Sequence, residues 1–375
     1  MNPFRKINIF KKALKVIDRK PALQMIYEYL IYKFTKPELA VQYFNKYLFR
    51  KTVANPDDYI VTPDLQEKVW YYNNMNYKSI LINKHNAELF FSKYNIPVVK
   101  SFAYNFNHLF FIGNDLEMIN TRDEFKNLMT LMKNKGLWKG EYMIVKMYNG
   151  SYGGMNIFKI SYNEITENRS KLDSLYEQVI NSGYLFQDIV DQHPELNKIT
   201  PNSLNTLRID TFTNNERIAK IFNTTIRFGC GKSFVDNISQ GGMFAGVNME
   251  TGVLQDEAFS NFDKGNGQVL TSHPSSGQVF RDFEIPFFKE AKQLALNAAR
   301  LIPNARVVGW DICITPNGPV LLEGNYFNGI YRLEIGQKGY KNNPVFQQLL
   351  KELYTYYNEQ NNNLDELKKK HPLYV

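Results

Sequence analysis

The sequence has only two cysteines in 375 residues, Cys230 and Cys313. Two thiols exclude a disulfide framework and a cysteine-based zinc cage. The five histidines (His85, His108, His193, His273 and His371) are scattered and form no HxxxH or HxH pair. No run approaches the ~18 to 20 apolar residues that a membrane-spanning helix requires. The opening MNPFRKINIF lacks the apolar core and small-residue cleavage site of a signal peptide. No internal repeat is present, and low complexity is confined to the polar tail 358–370. What remains is 43% apolar and 14% aromatic, which excludes disorder and suffices for one large core or several smaller ones. These features predict a soluble, cytoplasmic, globular protein.

Charge is concentrated at one end. Residues 1–51 carry twelve Lys/Arg against Asp18, Glu28 and Glu38, an excess of nine, whereas the whole chain is +8. Everything after residue 51 is therefore close to neutral. Apolar residues in this segment (Phe4, Ile7, Phe10, Leu14 and Ile17, then Met25, Ile26, Tyr29 and Leu30) recur at helical spacing. One reading is a helical subdomain with its apolar stripe packed inward and a solvated basic face. Contact with an anionic membrane surface or with nucleic acid also fits such a helix. No nucleic-acid-binding motif accompanies the charge, so no nucleic-acid partner is expected.

Three regions follow from pattern. Residues 1–78 read as a basic helical segment. Residues 79–185 alternate helix and strand: a helix at 86–94, a strand entered through 95–99, a helix at 121–135 opened by a Thr121/Glu124 capping box, and a strand at 142–147. Residues 186–375 are richer in strands, at 204–212, 218–228, 243–249 and 307–314, with helices near 286–301 and 345–358. The alternation predicts an α+β protein with a mixed or antiparallel sheet.

Two constellations carry chemistry. In Gly309-Trp310-Asp311 through Glu323-Gly324-Asn325, two strands are joined by Pro316-Asn317-Gly318, a hairpin signal. Folding the hairpin sets Asp311 beside Glu323, with Asn325 on the same side as Glu323. Two carboxylates and an amide oxygen make a hard oxygen site suited to Mg²⁺ and nucleotide phosphates; a hairpin with solvated polar ends is the plainer reading. In the second, Lys146 lies on the apolar run 144–147 ahead of Gly150-Ser151-Tyr152-Gly153-Gly154. A lysine on an apolar strand is costly to bury unpaired and should face an anion. The glycines let backbone N–H groups approach phosphate oxygens. A hairpin with an exposed lysine explains the same residues, and no GxxxxGK[ST] loop occurs.

In order and spacing these pieces resemble the ATP-grasp superfamily over roughly residues 80–340. Lys84, followed by a helix and the exit Asn95-Ile96-Pro97-Val98, stands as the family's first lysine, and Lys146 as its second. The adenine hinge corresponds to 185–190, with Gln187, Asp188 and Ile189; Gln187 occupies a place where Glu is common. Glu195 and Asp191 both match the ribose-binding acid. The segments Ser203-Leu204-Asn205-Thr206-Leu207-Arg208, Val235-Asp236-Asn237 with Gly241-Gly242, His273-Pro274 and Gly309-Trp310-Asp311 look like the sugar-transfer-associated members, found among capsule and surface-polysaccharide functions. Residues 1–78 stand where that superfamily usually has an α/β domain.

The resemblance implies an ATP-grasp fold, two α+β subdomains sandwiching ATP, here with a helical N-terminal segment. It implies a ligase that turns a carboxylate into an acyl phosphate with ATP and Mg²⁺ and passes it to an amine, with small-molecule or glycan-linked substrates. Lys84 and Lys146 would hold the α- and β-phosphates, with Ser151, Gly153 and Gly154 around them. Asp311, Glu323 and Asn325 would hold the metal. Arg208 would stabilise the transferring phosphoryl group; alternatively it is an edge-strand arginine paired to Asp210 or Glu216. Asn205, Asn237 and His273 are substrate candidates, although Asn237 equally fits an Asx turn and His273 an ordinary turn histidine. A carboxylate ligase for a peptide or small metabolite, or a non-catalytic nucleotide-binding partner of a glycan assembly complex, are the other readings. The basic segment makes the inner face of a membrane a possible location.

Overall fold

The computed structural model describes residues 3–73, 75–149, 155–231, 234, 236, 241–262, 267–359 and 363–370, with side chains from Asn8 onward. Ser151, Gly153, Gly154 and Asn237 lie outside the described residues. The chain forms two compact units, residues 79–191 and residues 1–78 with 192–375.

The unit 79–191 is built on strands β1 (Ala103–Phe106), β2 (Leu109–Ile112), β3 (Asp115–Met118), β4 (Tyr142–Met147), β5 (Ile157–Ser161) and β6 (Tyr184–Asp188), in the order β3-β2-β1-β6-β4-β5. Every pairing is antiparallel. Alternation on β4 separates Met143 and Val145 from Ile144 and Lys146. The first pair joins Phe110, Phe125, Met129, Leu175 and Phe186 in a closed apolar core. Helix Arg122–Asn134 supplies part of it and begins with the expected capping box, in which the Thr121 side chain and Glu124 satisfy each other's backbone N–H groups. Residues 95–99, expected to lead into a strand, leave helix Lys84–Lys93 through Asn95 at φ 58° and carry a single bridge at Val98. Pro97 has no N–H to give a ladder, and the first named strand starts at Ala103.

The larger unit carries β7 (Thr206–Thr213), β8 (Ala219–Phe228), β9 (Met243–Val247), β10 (Leu254–Ser260), β11 (Val269–Leu270), β12 (Val307–Thr315) and β13 (Gly318–Asn325). The order is β11-β10-β9-β8-β7-β12-β13, again antiparallel throughout. Strand β12 is buried almost end to end because both faces are covered. Helix Phe288–Leu301 lies over β7, β8, β12 and β13, its inward stripe rich in small residues (Ala291, Ala295, Ala298, Ala299) that permit close approach. On the opposite face, Val307, Phe212 and Phe222 meet helices Pro63–Tyr72 and Pro344–Tyr354.

Residues 1–78 are integral to this unit. Tyr43, Tyr47 and Phe49 enter one aromatic core with Phe244, Phe259 and Phe262. Beneath it lies an ion pair with no solvent exposure, Lys46 with Glu334. Lys46 Nζ also donates to the Val61 carbonyl at 2.6 Å and sits 4.5 Å over the Tyr331 ring. Glu334 accepts from the backbone N–H groups of Ile60 (2.7 Å) and Tyr340 (3.2 Å). Burial brings the Lys46 ammonium down to about 8, against the raising effect of Glu334. One pair thus ties three separate chain segments together. Glu334→Ala, which strands the lysine, is expected to cost about 3–5 kcal/mol, whereas Lys46→Met with Glu334→Leu should restore most of it; urea midpoints of the three proteins check this.

Candidate active site

The larger unit gathers its chemistry on two rungs of the sheet. On the first, Glu323, Asp311, Arg208 and Thr225 lie side by side across β13, β12, β7 and β8. On the second, two residues along, are Asn325, Gly309, Asp210 and Asn223. Because paired residues in a sheet share a face, both rows project to one side. The hairpin thus sets Asp311 opposite Glu323 as its sequence implied. An extra residue on β13 between the Asp311 and Ile312 pairings bends the strand beside Glu323.

Asp311 is wholly buried and held by two guanidinium groups. Arg208 binds it bidentately, Nε to Oδ1 at 2.6 Å and Nη2 to Oδ2 at 3.2 Å. Arg227 Nη2 reaches Oδ2 at 2.9 Å, and the Asn325 amide nitrogen donates to the same oxygen at 3.1 Å. Burial alone would raise this carboxyl, but the two arginines hold it far below the usual carboxylate range. Strand β7 is central, so Arg208 is no edge arginine, and its carboxylate partner is Asp311 rather than Asp210 or Glu216.

Arg208 is fixed from its other side as well. Its Nη1 donates to Asn328 Oδ1 at 2.9 Å, and Asn328 Nδ2 donates to Asp210 Oδ1 at 2.9 Å. Asn223 Nδ2 donates to Asp210 Oδ2 at 2.6 Å. Burial pushes the Asp210 carboxyl up to about 6; the charge of Arg208 and the two amides offset this in part. Asp236 lies 3.6 Å from Arg227 Nε, and burial raises its carboxyl as well. Sequence alone does not single out Arg227 and Asn328, and it offers Asp210 only as an ion-pair partner of Arg208; together the three complete the arrangement. The signal for Arg227 existed: it is a cation between Ile226 and Phe228, as Lys146 is between Val145 and Met147.

In the unit 79–191 the sheet face opposite its core carries Ile144, Lys146, Leu185 and Gln187, with Lys146 paired to Leu185 and Ile144 to Gln187. Lys146 and Gln187 are both buried. Gln187 Nε2 donates to the Val99 carbonyl (3.3 Å) and to Ser101 Oγ (3.1 Å), and Ser101 is held by Glu88. Lys84 begins its helix just past Asn83, whose side chain caps it, and the Lys84 N–H bonds the Tyr148 carbonyl at 2.8 Å. Both candidate phosphate lysines therefore stand at the end of β4. Asp188 accepts from the Lys139 N–H at 2.9 Å, and Ile189 is exposed.

Three further candidates have structural partners. Asn205 is buried, its amide nitrogen donating to the Leu196 and Thr200 carbonyls. His273 is buried; Nε2 donates to the Gly229 carbonyl at 2.9 Å, while Nδ1 accepts from the N–H groups of Ser275 and Ser276. Burial lowers its basicity, which favours this neutral tautomer. Glu195 is exposed and paired with Lys198 at 2.7 Å. Asp191 is exposed too.

Two predictions follow from this geometry. A Cβ at Gly309 would stand 2.5 Å from Asn328 Oδ1 and 2.7 Å from Arg208 Nη1. Gly309→Ala should therefore displace the Arg208 clamp and cost about 1–3 kcal/mol by overpacking, read as a lowered urea midpoint. Asp210 titrates near 6 when folded and at its ordinary 3.8 when unfolded, so the folded state holds a proton in between that the unfolded chain has lost. The stability carried by this group falls as pH rises from 4 to 6 and is level above. The difference in urea midpoint between wild type and Asp210→Asn should follow that curve.

Residues 72–346 match the family described as sugar-transfer associated ATP-grasp. No curated protein matches in sequence. Among solved structures, the D-alanine-D-alanine ligase of Coxiella burnetii aligns at 12% identity and a TM-score of 0.41, covering 77% of this chain and 62% of that one. The D-alanyl-alanine synthetase A of Vibrio cholerae aligns at 14% and 0.43, over 74% and 65%. The Bacillus anthracis D-alanine–D-alanine ligase aligns at 12% and 0.42, over 79% and 77%. The chain thus spans less than two thirds of the Coxiella and Vibrio proteins. With about three quarters of its length matched by one family, this chain belongs to the sugar-transfer-associated ATP-grasp proteins.

Proposed function

We propose that the protein is an ATP-dependent, ADP-forming carboxylate–amine ligase, acting in the cytoplasm on a glycan-linked or small-molecule carboxylate during surface-polysaccharide biosynthesis. The observation that carries the reading is the rung Glu323–Asp311–Arg208, on which a guanidinium, a buried carboxylate and a half-buried carboxylate stand in register. Family membership supports the nucleotide and the reaction type; the glycan context rests on the family's description alone.

A carboxylate oxygen attacks the γ-phosphorus of ATP and ADP leaves; an amine nitrogen then attacks the acyl carbon, inorganic phosphate leaves, and the nitrogen gives up a proton as the amide bond closes. Such transfer asks of the protein mainly positioning and neutralisation of charge. Lys84 and Lys146 take the α- and β-phosphates. Gln187, Asp188 and Ile189 meet the adenine, and Glu195 the ribose. Arg208, clamped by Asp311 and Asn328, presents a preorganised cation to the transferring group. Asn205 and His273, the substrate candidates within the described residues, also fix the loops near 196–205 and 229–231.

Magnesium is the metal the family implies. The donor set has the chemistry of a hard-cation site, two carboxylates and an amide whose nitrogen is committed to Gly309 O and Asp311, with both Asp311 oxygens engaged here by Arg208, Arg227 and Asn325. Glu323 and Asn325, both half-buried, would hold the ion together with Asp311. Bound there, it would supply charge neutralisation at the phosphate oxygens.

Calorimetry with a non-hydrolysable ATP analogue tests the reading. Micromolar, Mg²⁺-dependent binding in the wild type, lost in Lys146→Ala, is the expected result. Glu323→Gln should keep the fold and lower Mg²⁺-dependent ADP release about 10²-fold or more, measured while amino acids are screened against uronic-acid sugars. Full turnover in Glu323→Gln would remove it from the metal site. Absence of nucleotide binding under every condition would favour a scaffold for glycan assembly.

A further inference from the structure

Helix Ala22–Thr35 is apolar on two opposite faces. Inward, Met25 is fully buried, and Tyr29 and Tyr32 pack against Tyr43. Outward, Leu23, Ile26, Tyr27, Leu30, Ile31 and Phe34 are all exposed, Leu23 by 82% and Phe34 by 79%. At helical spacing these six fall within an arc of about 140° directly opposite Met25. Scattered exposed leucines need no explanation; a continuous stripe running the length of a helix does. A helix apolar all round is a helix covered on both sides.

The charge around the stripe indicates what covers it. Lys33 borders the arc beside Ile26, and its ammonium lies 5.6 Å over the Phe34 ring. Lys11 and Lys15 are exposed on the preceding segment, where Leu14 and the fully exposed Ile17 add apolar surface. Among the described residues none of these three lysines forms an ion pair. The acids of the segment are largely consumed: Asp18 by Arg50, and Glu28 by Lys20 and Tyr43. Lys46, Arg50 and Lys36 are neutralised by Glu334, Glu257 and Asp57, whereas Lys11, Lys15 and Lys33 are left as exposed positive charge on this segment. Apolar side chains flanked by uncompensated lysines complement a surface that is oily beneath and anionic on top. Fourteen residues at ~1.5 Å each are too short to cross a bilayer, and no described helix can do so, but they suffice to lie along one.

We propose that the outward face of helix Ala22–Thr35 docks the protein on an anionic lipid bilayer, with Leu23, Tyr27, Leu30 and Phe34 entering the headgroup–acyl boundary and Lys11, Lys15 and Lys33 pairing with lipid phosphates. The arrangement holds the larger unit at the membrane without a spanning segment.

Co-sedimentation of the full chain with vesicles tests this, using phosphatidylcholine alone and phosphatidylcholine containing a quarter phosphatidylglycerol. Binding to the mixed vesicles, absent on neutral ones and weakened by high salt, is expected. Phe34→Glu and, separately, Leu23→Glu should weaken it about tenfold or more, and Lys33→Glu should do so less steeply. Both apolar positions are exposed, so circular dichroism and thermal midpoint should be unchanged. Equal binding to neutral vesicles, no binding to either, or full binding in Phe34→Glu overturns the proposal. So does a dimer by light scattering that Phe34→Glu dissociates while vesicles are ignored, which would make a second copy of the chain the cover.

Discussion

Asp311 between Arg208 and Arg227 is the interaction on which the larger unit's chemistry depends. A carboxylate with no exposure cannot stay ionised without nearby positive charge, and a cation on a central strand has the same need in reverse. Each group makes the others possible. Two guanidinium groups exceed one carboxylate, and the surplus is met by Asp236 behind Arg227 and by Asn328 and Asp210 behind Arg208. The lack of a side chain at Gly309 belongs to the same device, since the rung beside Arg208 must be empty for its Nη1 to reach Asn328.

The two aspartates of this cluster occupy neighbouring strands and move in opposite directions. Both are fully buried, which raises both. Asp311 bonds two guanidinium groups directly and is held low; Asp210 feels the charge of Arg208 without bonding it, accepts only from two neutral amides, and is repelled by Asp311. One remains firmly ionised, and the other titrates within reach of neutrality. Divergent environments for like groups are how a protein assigns different tasks to one side-chain type. Here Asp311 aims charge, and Asp210 orients the amide that aims Arg208.

Local signals in the sequence survive in the fold where they are self-sufficient. The Pro316-Asn317-Gly318 turn fixes the β12–β13 hairpin, the extra residue on β13 then brings Glu323 opposite Asp311, and the Thr121/Glu124 box opens its helix as expected. The central strands lie within two or three residues of their predicted spans. Short elements escape such reading: β1 to β3 are four residues each, joined by turns in which Asn107 and Gly113 adopt left-handed φ, and four residues are too few for a period to show. Strand β10 hides because Gln255, Asp256 and Glu257 interrupt its apolar pattern. The Arg208 clamp was illegible for another reason. Asn328 meets Arg208 and Asp210 across about 120 residues of chain, and only the sheet order β7-β12-β13 brings them together.

The N-terminal segment shows where periodicity itself runs out. Helical spacing there marks Met25, Ile26, Tyr29 and Leu30 alike as candidates for burial. Yet Met25 and Tyr29 turn toward Tyr43 while Ile26 and Leu30 turn away. A helix with two opposite apolar faces has no preferred side, so its pattern states that it will be covered without stating by what. The choice falls to its neighbours. Tyr43, Phe44 and Phe49 offer an aromatic surface wide enough for one side only. The other side keeps its apolar stripe with Lys33 at its border, and the two have one explanation: an apolar stripe would be a liability in water, and an unpaired lysine beside it is costly in a protein core. Both are favourable where an oily layer lies beneath a layer of negative charge.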